Sequence, residues 1–207
     1  MTRTLGVDDD LEPLAQALLA GEPTVVPTDT VYGLATGAHL ADACARLVAL
    51  KGRDLSQPAA IVCGSVAALL GAALPDLPRA AAERAERLLP GPLTLVLPNP
   101  GRRFAWLCGD APERIGVRVP DLHPGLAATL DAAGAVLATS ANCTGLPAPR
   151  RLQDVDPALL AAAAVAVDGG VAGGVASTVV DVTAPEPAIL REGPVGLAAI
   201  RGRLGLG

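Results

Sequence analysis

One short segment places polar side chains where a hydrophobic core would otherwise continue. Residues 27–34 follow an apolar run that favours a β-strand, and they include three consecutive polar residues (28–30) and Tyr32, the single tyrosine of the chain. Pro27 restricts one backbone dihedral and Gly33 can adopt left-handed ones, so we expect a constrained segment. Open α/β sheets bind ligands at strand ends. The segment therefore indicates either a ligand site or a polar turn.

Basic and polar side chains recur at other predicted helix and strand ends. Lys51 and Arg53 follow a predicted helix, where two cations one residue apart can bind a phosphate or a carboxylate. The helix dipole alone also favours a cation there. Ser140 and Asn142 follow an apolar strand, where they fit a substrate site or a turn.

Arg118 is the most informative of these residues. It lies within 115–119, a strand that is otherwise apolar, and a buried arginine must be paired or must face a cavity. Ser177 and Thr178 follow a glycine-rich loop whose backbone amides can bind an anion. Arg191 comes at a strand end. A mobile loop and a solvated arginine would explain these last positions equally well.

Helices and strands alternate along the chain. The spacing of apolar residues predicts helices over 11–20, 40–50, 78–89, 124–133 and 157–163, and a last one ending at 204. It predicts strands over 24–27, 59–63, 93–97, 115–119, 136–139, 164–168, 178–182 and 188–190. No linker or repeat divides them. We therefore expect a single α/β or mixed α+β domain over residues 1–207, built on one main sheet.

Composition narrows the class of protein further. Apolar residues make up 51% of the 207 residues and aromatic residues only 1%, which predicts an aliphatic core. The net charge of −5 argues against a general attraction to nucleic acid or to an anionic membrane. The longest apolar run, 158–167, is too short to span a bilayer. Four cysteines without CxxC spacing predict reduced thiols rather than disulfides or a zinc site. A cytoplasmic protein is expected.

Seven blocks of the chain occur in a characteristic order. They are Pro-Thr-Asp-Thr-Val-Tyr-Gly-Leu (27–34), Lys-Gly-Arg (51–53), Pro-Gly-Pro-Leu-Thr-Leu-Val-Leu (90–97), Gly-Val-Arg-Val-Pro (116–120), Ser-Ala-Asn (140–142), Ser-Thr-Val-Val-Asp (177–181) and Leu-Arg-Glu-Gly (190–193). In this order they closely resemble the YrdC-like family, whose members are threonylcarbamoyl-AMP synthases. The resemblance covers about residues 10 to 195.

This resemblance implies a fold and an activity. The fold would be a twisted mixed sheet flanked by helices, with a large concave basic cavity. The reaction would join L-threonine, bicarbonate or CO2, and ATP into L-threonylcarbamoyl-AMP and release pyrophosphate, with Mg2+ accompanying ATP. Downstream transfer proteins would then use the product to make N6-threonylcarbamoyladenosine in tRNA.

The resemblance also implies roles for individual residues. The catalytic polar group around the phosphates and the carbamoyl group would comprise Lys51, Arg53, Ser140 and Asn142. The threonine site would comprise Thr30, Arg118 on the substrate carboxylate, Ala138, and Ser177 or Thr178. ATP would contact Arg53, Gln57, Arg114, Ser140, Ala148 and Arg191. No metal site with fixed protein ligands is expected.

Some positions depart from the family pattern. Gln57 stands where many members have Asn or Lys, Arg114 where Thr is common, and Ala148 where Ser is common. Val62 or Cys63 replaces a histidine that some members carry. These departures concern individual substrate contacts rather than the class of reaction.

Three alternatives follow from the same sequence. YrdC-like domains also occur in carbamoyltransferases that mature hydrogenases, but no acylphosphatase or zinc-finger segment is visible here. An RNA-binding module is disfavoured by the net charge and by only three aromatic residues, although weak RNA binding stays open. A plain scaffold domain leaves Arg118 and the polar segment at 27–34 unexplained.

Overall fold

The strands and helices are described by a computed structural model over residues 2–52, 57–143 and 145–207. The strands within these ranges are β1 (Arg3–Gly6), β2 (Thr24–Val26), β3 (Gly33–Gly37), β4 (Ala60–Val62), β5 (Leu93–Pro98), β6 (Arg114–Arg118), β7 (Val136–Ser140), β8 (Val165–Asp168), β9 (Thr178–Asp181) and β10 (Ala188–Arg191). The helices are α1 (Glu12–Leu19), α2 (Ala41–Leu50), α3 (Val66–Ala68), α4 (Arg79–Leu88), α5 (Pro124–Ala133), α6 (Pro157–Ala162) and α7 (Leu197–Leu204).

All the described strands belong to one mixed sheet. Their order is β1-β8-β2-β3-β7-β4-β6-β5-β9-β10. The pairs β1–β8, β8–β2, β4–β6 and β5–β9 are parallel, and the other neighbouring pairs are antiparallel. Helices flank the sheet, so the predicted α/β architecture with a single mixed sheet is confirmed.

Two apolar clusters cover opposite faces of the sheet, because successive strand residues point to opposite sides. Leu34, Ile61 and Leu137 belong to the larger cluster, which includes residues of α2, α4 and α7. Their neighbours on the other face, such as Val62 and Val136, pack in a second cluster with α1 and α5. The helices therefore bury both faces, but they do not cover both completely.

The helices leave one part of the second face of the sheet uncovered. Helix α1 packs on β2, β3 and β8. Farther along the same face, Ala60 of β4, Gly116 of β6, Val96 of β5 and Val179 of β9 line a cavity. Val62 belongs to the second cluster and lines this cavity as well, which places the cavity on the α1 and α5 side.

Most of the predicted elements are confirmed to within one or two residues, but two strands were not predicted. The missed strands are β1 and β3. Strand β3 reads Gly-Leu-Ala-Thr-Gly, which lacks a run of β-branched residues and has glycine at both ends. It nevertheless lies between β2 and β7 and is buried at every position. Tertiary pairing therefore decides its conformation.

Two further sequence-level expectations concern membranes and thiols. Among the described residues, no helix is both long enough and apolar enough to cross a membrane. The four cysteines are free thiols, as predicted. Burial raises the pKa of Cys44 to about 11 and that of Cys63 to about 12, so these two thiols stay protonated near neutral pH.

Candidate active site

A cavity of about 470 Å³ lies above β7, β4, β6, β5 and β9. This volume is within the range of sites that enclose small molecules and nucleotides. Its floor is small and apolar where Ala60, Gly116 and Val96 lie side by side in neighbouring strands. Polar side chains surround that floor in three groups. The cavity therefore combines a flat apolar surface with polar groups that converge on it.

The first group is centred on Arg118 at the end of β6. Arg118 forms an ion pair with Asp29, and its Nη2 donates a hydrogen bond to Thr30 Oγ1 at 2.6 Å. The pair is largely buried, with side-chain exposures of 12% for Arg118 and 13% for Asp29. Arg118 Nε is buried and has no hydrogen-bond partner in the part of the chain that the structure describes. Arg118 is thus both paired and facing a cavity, as its place in an apolar strand predicted.

The second group joins β9, β10 and β5. Arg191 Nη2 donates to the carbonyl oxygen of Ser177 at 2.8 Å and to its hydroxyl at 3.2 Å. The Ser177 hydroxyl lies 2.8 Å from the Thr94 hydroxyl. Arg191, Ser177 and Thr94 all line the cavity. Thr94, the one polar residue in its predicted strand, was not proposed for the site.

Of the two candidates Ser177 and Thr178, the structure places only Ser177 at the cavity. Thr178 is fully buried, and its hydroxyl donates to the Val195 carbonyl at 2.9 Å and accepts from the Val195 amide at 3.0 Å. Adjacent strand residues face opposite sides of a sheet, so the two side chains cannot both reach the cavity. The Thr178 side chain therefore does not line the cavity, and Ser177 is the candidate of the two that does.

The third group lies where α2 meets the end of β7. Lys51 Nζ donates to the hydroxyls of Thr139 and Ser140, each at 3.2 Å, and also to the Ser140 carbonyl. Lys51 follows helix α2, as predicted, and its side chain is buried, with only 6% exposed. Asn142 follows, with its amide donating to the Cys143 and Leu146 carbonyls.

Three residues of this group differ in how they reach the cavity. Ser140 lines it directly, whereas Lys51 reaches it through Ser140 and Thr139. Asn142 is not a lining residue, and its Oδ1 is buried without a hydrogen-bond partner among the described residues. Arg53, the fourth predicted member of the catalytic group, lies outside the described residues.

The remaining predicted ATP contacts divide between the cavity rim and more distant surface. Arg114 lines the cavity and pairs with Asp181 at 2.8 Å. Ala138, predicted for the threonine site, also lines it. Gln57 is exposed and Ala148 is partly buried, and neither is a lining residue. The residue next to Gln57, Pro58, does line the cavity.

Three arginines, Arg114, Arg118 and Arg191, and one aspartate, Asp181, line the cavity. Burial lowers the pKa of Arg118, the Asp29 carboxylate opposes this shift, and the nearby charge of Arg191 lowers the pKa further. The two guanidinium groups therefore repel each other, and an anion between them would relieve that repulsion. Within the described ranges, no group of three or more His, Cys, Asp or Glu residues could hold a metal ion.

A mixed α/β sheet with polar strand ends converging on one cavity is typical of α/β domains that bind small molecules. Comparison with known proteins makes this class specific. Residues 16–193 match the family model Sua5_yciO_yrdC, whose description is "Telomere recombination". The chain belongs to this family, as the order of its motifs predicted.

Several relatives of known name are similar to this chain. A Mycobacterium tuberculosis protein that is provisionally named a threonylcarbamoyl-AMP synthase is 35% identical over 92% of this chain and 87% of its own length. The Bacillus subtilis threonylcarbamoyl-AMP synthase is 32% identical over 99% of this chain and 60% of its own. The crystal structure of Pyrococcus abyssi Sua5 complexed with L-threonine has a TM-score of 0.84 at 30% identity, covering 99% of this chain and 61% of that one. This chain thus spans about three fifths of the last two proteins.

Proposed function

We propose that this protein is a threonylcarbamoyl-AMP synthase, a nucleotidyltransferase that uses L-threonine, bicarbonate and ATP. The observation that carries the proposal is the convergence of Arg118, Arg191 and the Lys51–Ser140 pair on one cavity of about 470 Å³. The names of the relatives support the same activity. The product would feed N6-threonylcarbamoyladenosine formation in tRNA, so we place the enzyme in the cytoplasm.

The reaction explains why the cavity needs several cations. Bicarbonate takes up a proton and loses water to give CO2, and the neutral amine of threonine adds to CO2 and releases a proton to form a carbamate. A carbamate oxygen then bonds to the α-phosphorus of ATP, the bond from that phosphorus to the bridging oxygen breaks, and pyrophosphate leaves. Because a carbamate and a triphosphate are both anions, fixed positive charges must hold them together. No covalent intermediate with the protein is needed.

The geometry suggests which residues bind threonine and which bind the nucleotide. Arg118 would bind the threonine carboxylate, with Thr30, Ser177 and the Ala138 segment as further contacts, because these residues line the same cavity and Arg118 bonds directly to Thr30. Arg191 lines the same cavity and bonds to Ser177, and it would contact the nucleotide where the two substrates meet. The threonine bound to Pyrococcus abyssi Sua5 supports a threonine site in a domain of this fold.

The nucleotide would extend from Arg191 towards the other basic groups. Lys51, Ser140 and Asn142, together with Arg53, would surround the phosphates and the carbamoyl group. Gln57, Arg114 and Ala148 would contribute at the outer part of the ATP site. The Arg114–Asp181 pair lies at that rim.

Mg2+ would enter as part of the ATP substrate. Mg2+ commonly keeps several waters and binds through substrate phosphates, so ATP itself would hold the ion and the ion would neutralise phosphate charge. Proteins that transfer the threonylcarbamoyl group to tRNA would be the downstream partners.

The direct test is pyrophosphate release by the purified protein. We expect release only when ATP, L-threonine and bicarbonate are all present, with a threonylcarbamoyl-AMP product detected by mass spectrometry. Release that is indifferent to threonine would overturn the proposal.

Lys51→Met sharpens the test of the site, because it removes the charge and keeps most of the side-chain volume. We expect turnover to fall about 100-fold. Lys51 is buried, so thermal unfolding must be measured beside activity. Glu83→Gln is the matched control, since it breaks only an exposed pair with Arg79. Arg53→Ala is expected to lose turnover in the same way. Unchanged turnover in a folded Lys51→Met protein would remove Lys51 from the catalytic group.

A further inference from the structure

Asp29 lies behind the cavity, and its partners leave it no evident role as a ligand-binding group. It is not a lining residue, and its side chain is 13% exposed. One carboxylate oxygen pairs with Arg118, and the other accepts the Asp121 amide at 3.3 Å. Its carbonyl oxygen accepts the Gly173 amide at 3.3 Å. Asp29 thus connects three chain segments immediately behind the guanidinium group.

Thr28 supports Thr30 in a similar way. The Thr28 hydroxyl donates to the Val31 carbonyl at 2.6 Å, so its single proton is already used. Arg118 can only donate, and it donates to Thr30 Oγ1. The Thr28 oxygen also accepts the backbone amides of Thr30 at 3.3 Å and of Val31 at 3.2 Å, and it lies 3.0 Å from the Thr30 hydroxyl. Thr28 in this way fixes where the Thr30 hydroxyl lies beside Arg118.

We propose that Asp29 and Thr28 are positioning residues, which orient Arg118 and Thr30 so that the pocket recognises the amino-acid substrate. This inference rests on the proposed function, because it names the groups that prepare its threonine site. Asp29 fixes the guanidinium plane of Arg118, and Thr28 holds the segment that carries Thr30. Thr28 lines the cavity and Asp29 does not, and both act here through the residues that they hold.

The consequence for Thr30 is a defined position. One lone pair of its hydroxyl accepts from Arg118, and the hydroxyl lies 3.0 Å from that of Thr28. The lone pair that remains can accept from a substrate N–H or O–H group. Arg118 supplies the donors for the carboxylate. The two side chains together match an amino acid that presents both kinds of group.

Asp29 has two opposing effects on the binding of threonine, one through its charge and one through the orientation of Arg118. Its negative charge reduces the attraction of Arg118 for a substrate carboxylate, whereas its ion pair holds a long, flexible side chain in one orientation. Because a displacement of about 1 Å can cost a large factor in rate or affinity, we expect orientation to dominate. Asp29→Asn keeps the shape of the side chain and removes the charge, so it tests this balance directly.

The experiment measures binding of L-threonine and of ATP separately, by calorimetry on the intact protein, in five forms. These are the wild type, Asp29→Asn, Thr28→Val, Thr28→Ser and the surface control Glu83→Gln. We expect Asp29→Asn to weaken threonine binding about tenfold and Thr28→Val about fivefold, as for loss of a buried hydrogen bond or charge partner. ATP binding should change less than about twofold in each, because the Lys51 and Arg191 groups stay intact.

Thr28→Ser distinguishes positioning from packing. It restores the hydroxyl and lacks only a methyl group, so threonine binding should return to within about twofold of the wild type. If Asp29→Asn or Thr28→Val binds threonine as well as the wild type or better, the proposal is overturned. Equal losses in threonine and ATP binding would also overturn it, since they would indicate a general structural defect.

The outcomes keep this inference separate from the proposed function. A wild-type protein that binds no threonine would overturn the proposed function, and the positioning roles would fall with it. A wild type that binds threonine beside unaffected variants would overturn only the positioning roles. If Asp29→Asn does not fold, Thr28→Val and Thr28→Ser still test the positioning proposal, because both substitutions change a small side chain by only one or two atoms.

Discussion

Each end of β6 carries an arginine that pairs with an aspartate, but the two pairs differ in burial. Arg114 and Arg118 point to the same face, since they are four residues apart in a strand, and each pairs with an aspartate. The Arg118–Asp29 pair is exposed by only 12% and 13%. Arg114 is 51% exposed and its partner Asp181 16%. Gly116 lies between the two arginines on the cavity floor.

Because the two pairs differ in burial, we expect Arg118 and Arg114 to have different functional roles. An exposed ion pair contributes little, about 0–1 kcal/mol, because water and salt screen it. A buried guanidinium is costly to desolvate and is retained only where its partners are well placed. Arg118 has an aspartate, a threonine hydroxyl and a buried Nε that has no hydrogen-bond partner among the described residues. We therefore assign substrate recognition to Arg118 at the buried end of β6. Arg114 at the cavity rim would add a weaker contribution to binding, because water and salt screen its charge.

The largest expected effect comes from Arg118→Lys. Lysine keeps the charge but loses the planar fork that can hold Asp29, Thr30 and a carboxylate together, so we expect kcat/KM for threonine to fall about 100-fold. Steady-state kinetics with threonine varied at saturating ATP measures this. The matched substitution at the other end, Arg114→Lys, should stay within about threefold. Similar losses at both ends would contradict the assignment by depth.

The sequence indicated most of this site because the chemistry lies at element ends with recognisable spacing. An arginine in an apolar strand predicted a paired or cavity-facing group, and Arg118 is both. Ser140 and Arg191, which the sequence singled out at strand ends, likewise line the cavity. Alternation along β9, applied to Ser177 and Thr178, would have excluded Thr178, since Val180 is a core residue on the same side.

Other features depended on contacts between distant segments, which no local pattern contains. Lys51 is buried because Thr139 and Ser140, nearly 90 positions away, accept hydrogen bonds from its amine. Asp29 was visible in the polar segment, but its role depends on Arg118, on a different strand. Strand β3 forms because β2 and β7 pair with it on both sides. Side-chain identity suggested these residues, whereas tertiary pairing determines what they do.

Gly116→Val tests whether the floor between the two ion pairs must stay flat. A Cβ at position 116 would meet Ala60 Cβ at 3.3 Å, so a valine there must project its methyl groups into the cavity. We expect the KM for ATP to rise about tenfold, since filling a binding surface displaces the ligand. Gly202→Val is the control, because a Cβ there meets nothing within 4 Å. A normal KM in a folded Gly116→Val protein would show that no substrate lies on the floor.

The smallest effect is expected from Arg114→Thr, at the exposed end of β6. The substitution removes a cation from the rim and leaves Asp181 with its bonds from the Thr183 amide at 2.8 Å and hydroxyl at 2.6 Å. The KM for ATP should rise less than about threefold at low salt, because a half-exposed charge is strongly screened. The difference from the wild type should shrink further as ionic strength increases, which kinetics at two salt concentrations would measure. A loss that is large and independent of salt would mean that Arg114 binds the nucleotide directly in a desolvated contact. Arg114 and Arg118 would then contribute to substrate binding in the same way, and the difference in their burial would not determine their roles.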